Sequence, residues 1–151
     1  MSGNNFKEDD AFGKEAVDAL VKKFPWKYEY ITDEEEQRTC GDLRELKTGR
    51  HIEVKHDRYK PVNFFFEEWS DWGEYRQGWV RNLDHCDELI YKFKNHPEFY
   101  VMPFIQVRNA CWKRRAKQCE DSFVASGGGS KAWGWLVPLS EMKGRPGWDI
   151  L

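Results

Sequence analysis

The sequence holds only four cysteines, Cys40, Cys86, Cys111 and Cys119, and no C-x-x-C pair among its 151 residues. Scattered thiols in a chain long enough to bury its own core exclude a disulfide framework as the source of stability and make reduced cysteines the expectation. His85 beside Cys86, and the pair Cys111 and Cys119, are metal-ligand types at spacings that fit none of the usual zinc arrangements. No apolar run approaches membrane-spanning length, and the start Met1-Ser2-Gly3-Asn4-Asn5 has no apolar signal core. The expectation is a soluble, cytoplasmic protein with no membrane partner. A strong charge of one sign is also missing: the formal net charge is −2, so nucleic-acid binding would have to come from local patches rather than a global field. No internal repeat appears.

The chain is 40% hydrophobic and 16% aromatic, too apolar for a disordered protein even with 33% charged residues. Its length fits one domain over residues 1–151. The charge is segregated: residues 29–36 and 67–74 are acidic, whereas Arg108 to Lys117 carries Arg108, Lys113, Arg114, Arg115 and Lys117 against no acid.

Hydrophobic period sketches the elements. Ala16, Val17, Leu20, Val21 and Phe24 form one stripe of a helix over Gly13–Phe24, stopped by Pro25. Lys27–Thr32 alternates as a strand, and Asp33–Gln37 reads as an acidic loop. A hairpin about Thr48-Gly49 follows, then a strand over Asn63–Trp69 and a turn-rich stretch over Ser70–Gly78. Asp87–Phe93 and Phe99–Phe104 are strand candidates around the turn Lys94–Pro97. Ile105–Glu120 is a helix, Ser126–Ser130 a flexible loop, and Trp133–Leu139 a late strand in which Pro138 marks an edge or an end. This order implies a mixed α/β or α+β domain with helices against one central sheet.

The chemistry sits in the hairpin. Three E-x-K triplets occur, at Glu45, Glu53 and Glu141, and about one is expected by chance in so charged a chain. With Thr48-Gly49 as a two-residue turn, Lys47 pairs with Arg50, Arg44 with Glu53 and Asp42 with Lys55. Asp42, Glu53 and Lys55 then share one face, and Leu43, Ile52 and Val54 the other; a three-residue turn would send Asp42 to the wrong face. Neither other triplet has an acid on a facing strand. Two carboxylates with the Val54 carbonyl between Glu53 and Lys55 offer the hard oxygens Mg²⁺ takes, with Mn²⁺ as a substitute. The lysine adds a compact charge that can steady an attacking water or a developing phosphorane.

Asp42, ten residues, then Glu53-Val54-Lys55, after an N-terminal helix and a strand, resembles the PD-(D/E)XK nuclease superfamily. The likeness covers Gly13 to Trp69, and Asn63 to Trp79 is loosely similar to phage-type members with an N-x-F-x-E strand after the lysine. It implies a restriction-endonuclease-like α/β core, a central mixed sheet flanked by helices in an αβββαβ order, and a Mg²⁺-dependent DNA endonuclease of phage or resolvase type. Asp42, Glu53 and Val54 would hold metal, Lys55 would position or activate water, and Glu15, which matches the family's helix glutamate, would assist. Gly41 stands where the motif's name has proline. Arg58, Lys60 and the basic helix residues Lys113, Arg114 and Lys117 are the expected phosphate contacts. Duplex and junction DNA present two strands related by near symmetry, so the resemblance leaves a homodimer open by analogy.

Plainer alternatives remain beside it. Arg44 with Glu53 and Asp42 with Lys55 would serve as cross-strand ion pairs worth about 0.2–1 kcal/mol each. Glu67 or Glu68 would extend the metal site or simply be solvated, and Trp69, Trp72 and Trp79 would build core or stack on bases. In the basic helix Trp112 would turn inward. From other function classes come a nuclease fold that holds nucleic acid without cutting it, and a protein-interaction domain using Asn63–Trp69 as an exposed edge. The four histidines lack the spacing of HNH nucleases.

Overall fold

The computed structural model describes residues 14–58, 60–71, 73–117, 123–125 and 132–151. Residues 14–23 are helical (α1), with Ala16 and Leu20 buried as the apolar stripe requires. The next strand is β1 (Tyr28–Tyr30). The stretch read as an acidic loop is instead a helix, α2 (Glu34–Cys40). The Asp33 side chain accepts hydrogen bonds from the Glu35 and Glu36 amides, and three glutamates occupy the first turn. Free amides and the positive end of the helix dipole both favour carboxylates there, so D-E-E-E is a helix start rather than a loop. Asp33→Ala should cost about 1 kcal/mol, read as a lower urea midpoint.

Three strands follow, β2 (Leu43–Glu45), β3 (His51–Asp57) and β4 (Asn63–Asp71). Beyond them come β5 (Arg76–Gln77), α3 (Trp79–Asn82), β6 (Glu88–Phe93) and β7 (Phe99–Pro103). The chain continues through α4 (Phe104–Lys117), β8 (Phe123–Ala125), β9 (Trp133–Pro138), α5 (Leu139–Lys143) and β10 (Asp149–Ile150). Trp72, Cys119, the end of the expected basic helix beyond Lys117 and the Ser126–Ser130 loop lie outside the described residues.

The molecule is mixed α/β, with a mixed sheet flanked by helices, but the single central sheet is corrected to two. One runs β1-β2-β3-β6-β7-β10, the other β5-β4-β9-β8. Within the first, β3 and β6 pair in parallel and the other neighbours are antiparallel. β4 leaves the first sheet because its partner is β9, some 70 positions later, a pairing no local pattern announces. β4 pairs with β9 over most of its length and with β5 only at Trp69 and Asp71.

Two apolar clusters cover the faces of the first sheet. Leu89, Tyr91 and Phe93 of β6 pack with Phe64, Phe66, Trp135 and the α4 residues Phe104 and Val107. Ile90, pointing the other way, joins Leu43, Ile52 and Val54 beneath Ala16 and Leu20 of α1. Burial on both faces is why β6 reads as a nearly continuous apolar run. The Tyr91 hydroxyl locks the two sheets together: it donates to Asp57 at 2.9 Å and accepts from the Phe65 amide at 3.2 Å.

The hairpin register is also corrected. Leu43 faces Ile52 and Arg44 faces His51, with Leu46 to Gly49 forming a four-residue loop closed by Glu45 N–H to the Arg50 carbonyl at 2.8 Å. Relative to a two-residue turn, every partner moves by two positions. Because the side-chain period is two, a shift of two changes partners without changing faces.

Candidate active site at the fork between β2 and β3

β2 pairs with β3 only as far as Leu43 and Ile52, while β3 continues to Asp57 along β6. Where β2 departs, a cleft of about 460 Å³ opens, lined by Lys14, Val17 and Asp18 of α1, Tyr30, Gln37, and the segment Glu53 to His56 together with Asp42. The backbone builds the fork. The Asp42 amide donates to the Ile52 carbonyl at 2.9 Å, and the Ile31 amide donates to the Asp42 carbonyl at 2.9 Å. The Asp42 side chain then takes the place of the missing strand: its Oδ2 accepts the Val54 N–H at 2.9 Å.

Gly41 is required at this point. Its φ is +116°, and a Cβ there would lie 2.6 Å from the Ile52 carbonyl oxygen. Proline, whose ring fixes φ near −65°, cannot occupy this position.

Asp42 and Glu53 meet at the base of the cleft. Glu53 is only 7% exposed. Burial pushes its carboxyl up to about 8; Lys55 pulls the other way, and the Asp42 charge and a hydrogen bond to it push further up. A Glu53 carboxyl that keeps its proton would donate it to Asp42. The Lys55 ammonium lies 3.4 Å from Glu53 Oε1. Burial works against its charge, yet Glu53, Asp42 and Glu67 outweigh that and hold Lys55 above the ordinary lysine value. The Trp79 ring lies 5.5 Å below the same ammonium.

The plainer cross-strand pairs do not form. Arg44 binds Glu29 at 2.9 Å and also Glu36 rather than Glu53. Lys55 lies 3.4 Å from Glu53 on its own strand and is also held charged by Asp42 and by Glu67 of β4.

The Val54 carbonyl faces Asp42. Along β3 the carbonyls of His51 and Asp57 accept amides from the β6 side, Asp87 at 2.9 Å and Lys94 at 2.7 Å. Alternation sends Ile52 and Val54 the other way, toward the fork. Two carboxylates and one carbonyl thus converge, a hard-oxygen donor set that fits Mg²⁺ or Mn²⁺.

Glu67 and Glu68, adjacent on β4, part company by the pleat. Glu67 turns toward Lys55, and burial raises its carboxyl against the pull of that lysine. Glu68 is fully buried, bound by Arg115 at 2.8 Å, Arg81 at 3.3 Å and the Trp135 indole at 2.9 Å, and so ties α3 and α4 to the second sheet. A second cleft beyond Lys55 is lined by Arg38, Glu67, Gln77, Trp79, Arg81 and Asn82, among others.

Other sequence-predicted residues lie farther out. Glu15 is exposed and does not line the cleft; Asp18 does, and it accepts from the Tyr30 hydroxyl at 2.6 Å. The helical phase was the signal: the whole stripe of Ala16, Val17, Leu20, Val21 and Phe24 sets Glu15 opposite the core and residues 14 and 18 on the flank beside Val17 and Val21. Arg58 and Lys60 are exposed just past the end of β3, and Lys113 is exposed on α4. Arg114 is turned inward, buried, and binds both oxygens of Glu141 at 2.8 and 3.0 Å, so it ties α4 to α5 instead of offering itself to phosphate. Lys117 is the last residue of α4. Trp112, expected to face inward, is exposed, and the Arg115 guanidinium stacks 4.0 Å from its ring centroid. A hydrophobic stripe that includes Val107, Ala110 and Cys111 fills the inward side, leaving Trp112 outside. Among the described residues no helix is long and apolar enough to cross a membrane.

No protein-family model matches the chain, and no curated protein matches it either.

Proposed function

We propose that the protein is a divalent-metal-dependent deoxyribonuclease with a restriction-endonuclease-like core, hydrolysing DNA phosphodiesters at the fork between β2 and β3. The observation that carries this reading is the convergence of Asp42, Glu53 and Lys55 at one cleft, with the two carboxyls close enough to share a proton. A buried acid beside a second, half-buried one is costly, and such pairs cluster at functional sites.

Asp42, Glu53 and the Val54 carbonyl would hold Mg²⁺, which supplies a polarised phosphoryl oxygen and a more acidic bound water. The chain's own residues do the rest. The Val54 N–H fixes the Asp42 carboxylate so that it cannot swing away. Lys55 places a positive charge beside Glu53, where a phosphate oxygen or attacking water would lie, and Glu67 helps keep that lysine charged. Arg58 and Lys60 continue the positive path past β3, Lys113 on α4 is a further phosphate contact, and Arg38 and Arg81 flank the second cleft.

Plasmid, linear duplex, branched and single-stranded DNA incubated with the protein in Mg²⁺, with chelator lanes beside them, test this directly. Cleavage of at least one substrate that vanishes with chelator is expected. A folded protein that retains all four DNAs in a gel shift and cuts none would replace the enzyme with a binding module.

A further inference from the structure

We infer that Glu36, Cys40 and His51 form a zinc site, separate from the Asp42–Glu53 pair and independent of the nuclease reading. Their ligand atoms all lie within 4.8 Å of one another. Tetrahedral zinc, with bonds of about 2.0–2.3 Å, holds its ligands roughly 3.3–3.8 Å apart, so closure needs only side-chain adjustment. The mix of one thiolate, one imidazole and one carboxylate suits zinc rather than Mg²⁺, and its charges sum to neutrality with the ion.

The local fold sets the ligands in place. Glu36 and Cys40 are four residues apart on α2 and so share one face, which packs against the start of β3 where His51 stands. His51 Nε2 lies 3.6 Å from the Glu36 Oε1. Its other nitrogen, Nδ1, lies 3.8 Å from Asp87 Oδ2. That same oxygen accepts the His51 backbone N–H at 2.8 Å, which pins the carboxylate beside the ring. At 3.8 Å the pair is just outside hydrogen-bond distance, and a small turn of the ring on binding an ion would bring Nδ1–H onto the carboxylate, the arrangement that recurs around zinc-bound histidines. Arg44 now pairs with Glu36, but it also holds Glu29 at 2.9 Å and keeps that partner if Glu36 turns to the ion. Cys40 is buried while Glu36 and His51 are partly exposed, so the fourth position opens toward water.

The placement has a consequence for the fork. Cys40 is two residues before Asp42, and His51 two before Glu53. An ion joining them would clamp the end of α2 to β3 at the root of the cleft.

Cobalt(II) is the probe, titrated into chelator-stripped full-length protein. One equivalent should give the intense visible bands of tetrahedral Co²⁺ and a thiolate-to-cobalt charge-transfer band in the near ultraviolet, both displaced by Zn²⁺. Cys40→Ser should remove the charge-transfer band, and Asp87→Asn should weaken binding about 10–100-fold. His51→Gln, at a partly exposed position, should weaken it at least as much while the circular dichroism spectrum stays native. Asp42→Asn should leave the spectrum unchanged. A weak octahedral spectrum, a charge-transfer band that survives Cys40→Ser, or undiminished affinity in folded His51→Gln would each overturn the assignment.

Discussion

Asp42→Ala will leave DNA bound and uncut, while Lys55→Ala will bind both DNA and Mg²⁺ and cut slowly. The two differ because the residues do different work at the fork. Asp42 contributes an oxygen to the metal and is itself held by the Val54 amide at 2.9 Å, so no neighbour can replace it with the same geometry. Cleavage should fall to background, and Mg²⁺ affinity with it. Lys55 contributes charge and no ligand. Its loss should slow the chemical step by about 10²–10³-fold, the range found when one preorganised donor to a developing negative charge is removed. DNA binding should survive both changes, because the exposed cations Arg58, Lys60 and Lys113 are untouched. Calorimetry for the metal and gels for DNA separate the three functions. Robust cutting by a folded Asp42→Ala would dismiss the site, and loss of Mg²⁺ binding in Lys55→Ala would make the lysine a structural part of it. Were these residues merely ion pairs, neither change would alter any activity.

The residues at the cleft were legible in the sequence because they depend on a local rule. Alternation along two strands joined by a short loop puts Asp42, Glu53 and Lys55 on one face for any even loop length, so misjudging the loop by two residues left the faces intact. The helix acid failed where the rule is finer: Glu15 and Asp18 are both plausible by spacing, and only the full width of the apolar stripe, out to Val17 and Val21, decides between them. In the basic helix Arg114 failed for another reason. Arg114 looks like its neighbours Lys113 and Arg115 in sequence, but its fate depends on Glu141, 27 residues later. The second sheet was hidden in the same way, since β4 and β9 announce themselves as strands but not as partners. Likewise the Glu36, Cys40 and His51 cluster has no motif spacing, because it is assembled by α2, which the acidic run concealed, packing on β3.

Glu53→Gln should make the metal-free protein more stable in alkali and no more stable in acid. Glu53 has an ordinary carboxyl value of 4.5 when the chain is unfolded and about 8 in the folded state, where burial and the neighbouring Asp42 oppose its charge. A folded-state value raised above the unfolded one means that the native protein binds the proton more tightly. The resulting stabilisation is full below pH 4.5 and is lost as pH rises to 8. At 1.36 kcal/mol per unit, the loss across that window is about 3–5 kcal/mol. Glutamine imitates the protonated acid and never ionises, so its urea midpoint should match wild type near pH 4.5 and exceed it increasingly up to pH 8. Mg²⁺ should reverse the order. The ion must displace the shared proton to bind, so wild type near pH 7 should release close to one proton per Mg²⁺, seen as a dependence of binding heat on the buffer's ionisation enthalpy. That release should fade as pH rises above 8, where Glu53 has already ionised. Added Mg²⁺ should then stabilise wild type more than the glutamine variant, because only the carboxylate holds the ion as an anionic ligand. Parallel stability profiles for the two proteins from pH 4.5 to 8 would show that Glu53 carries no such burden, and with it the shared-proton pair at the fork would go.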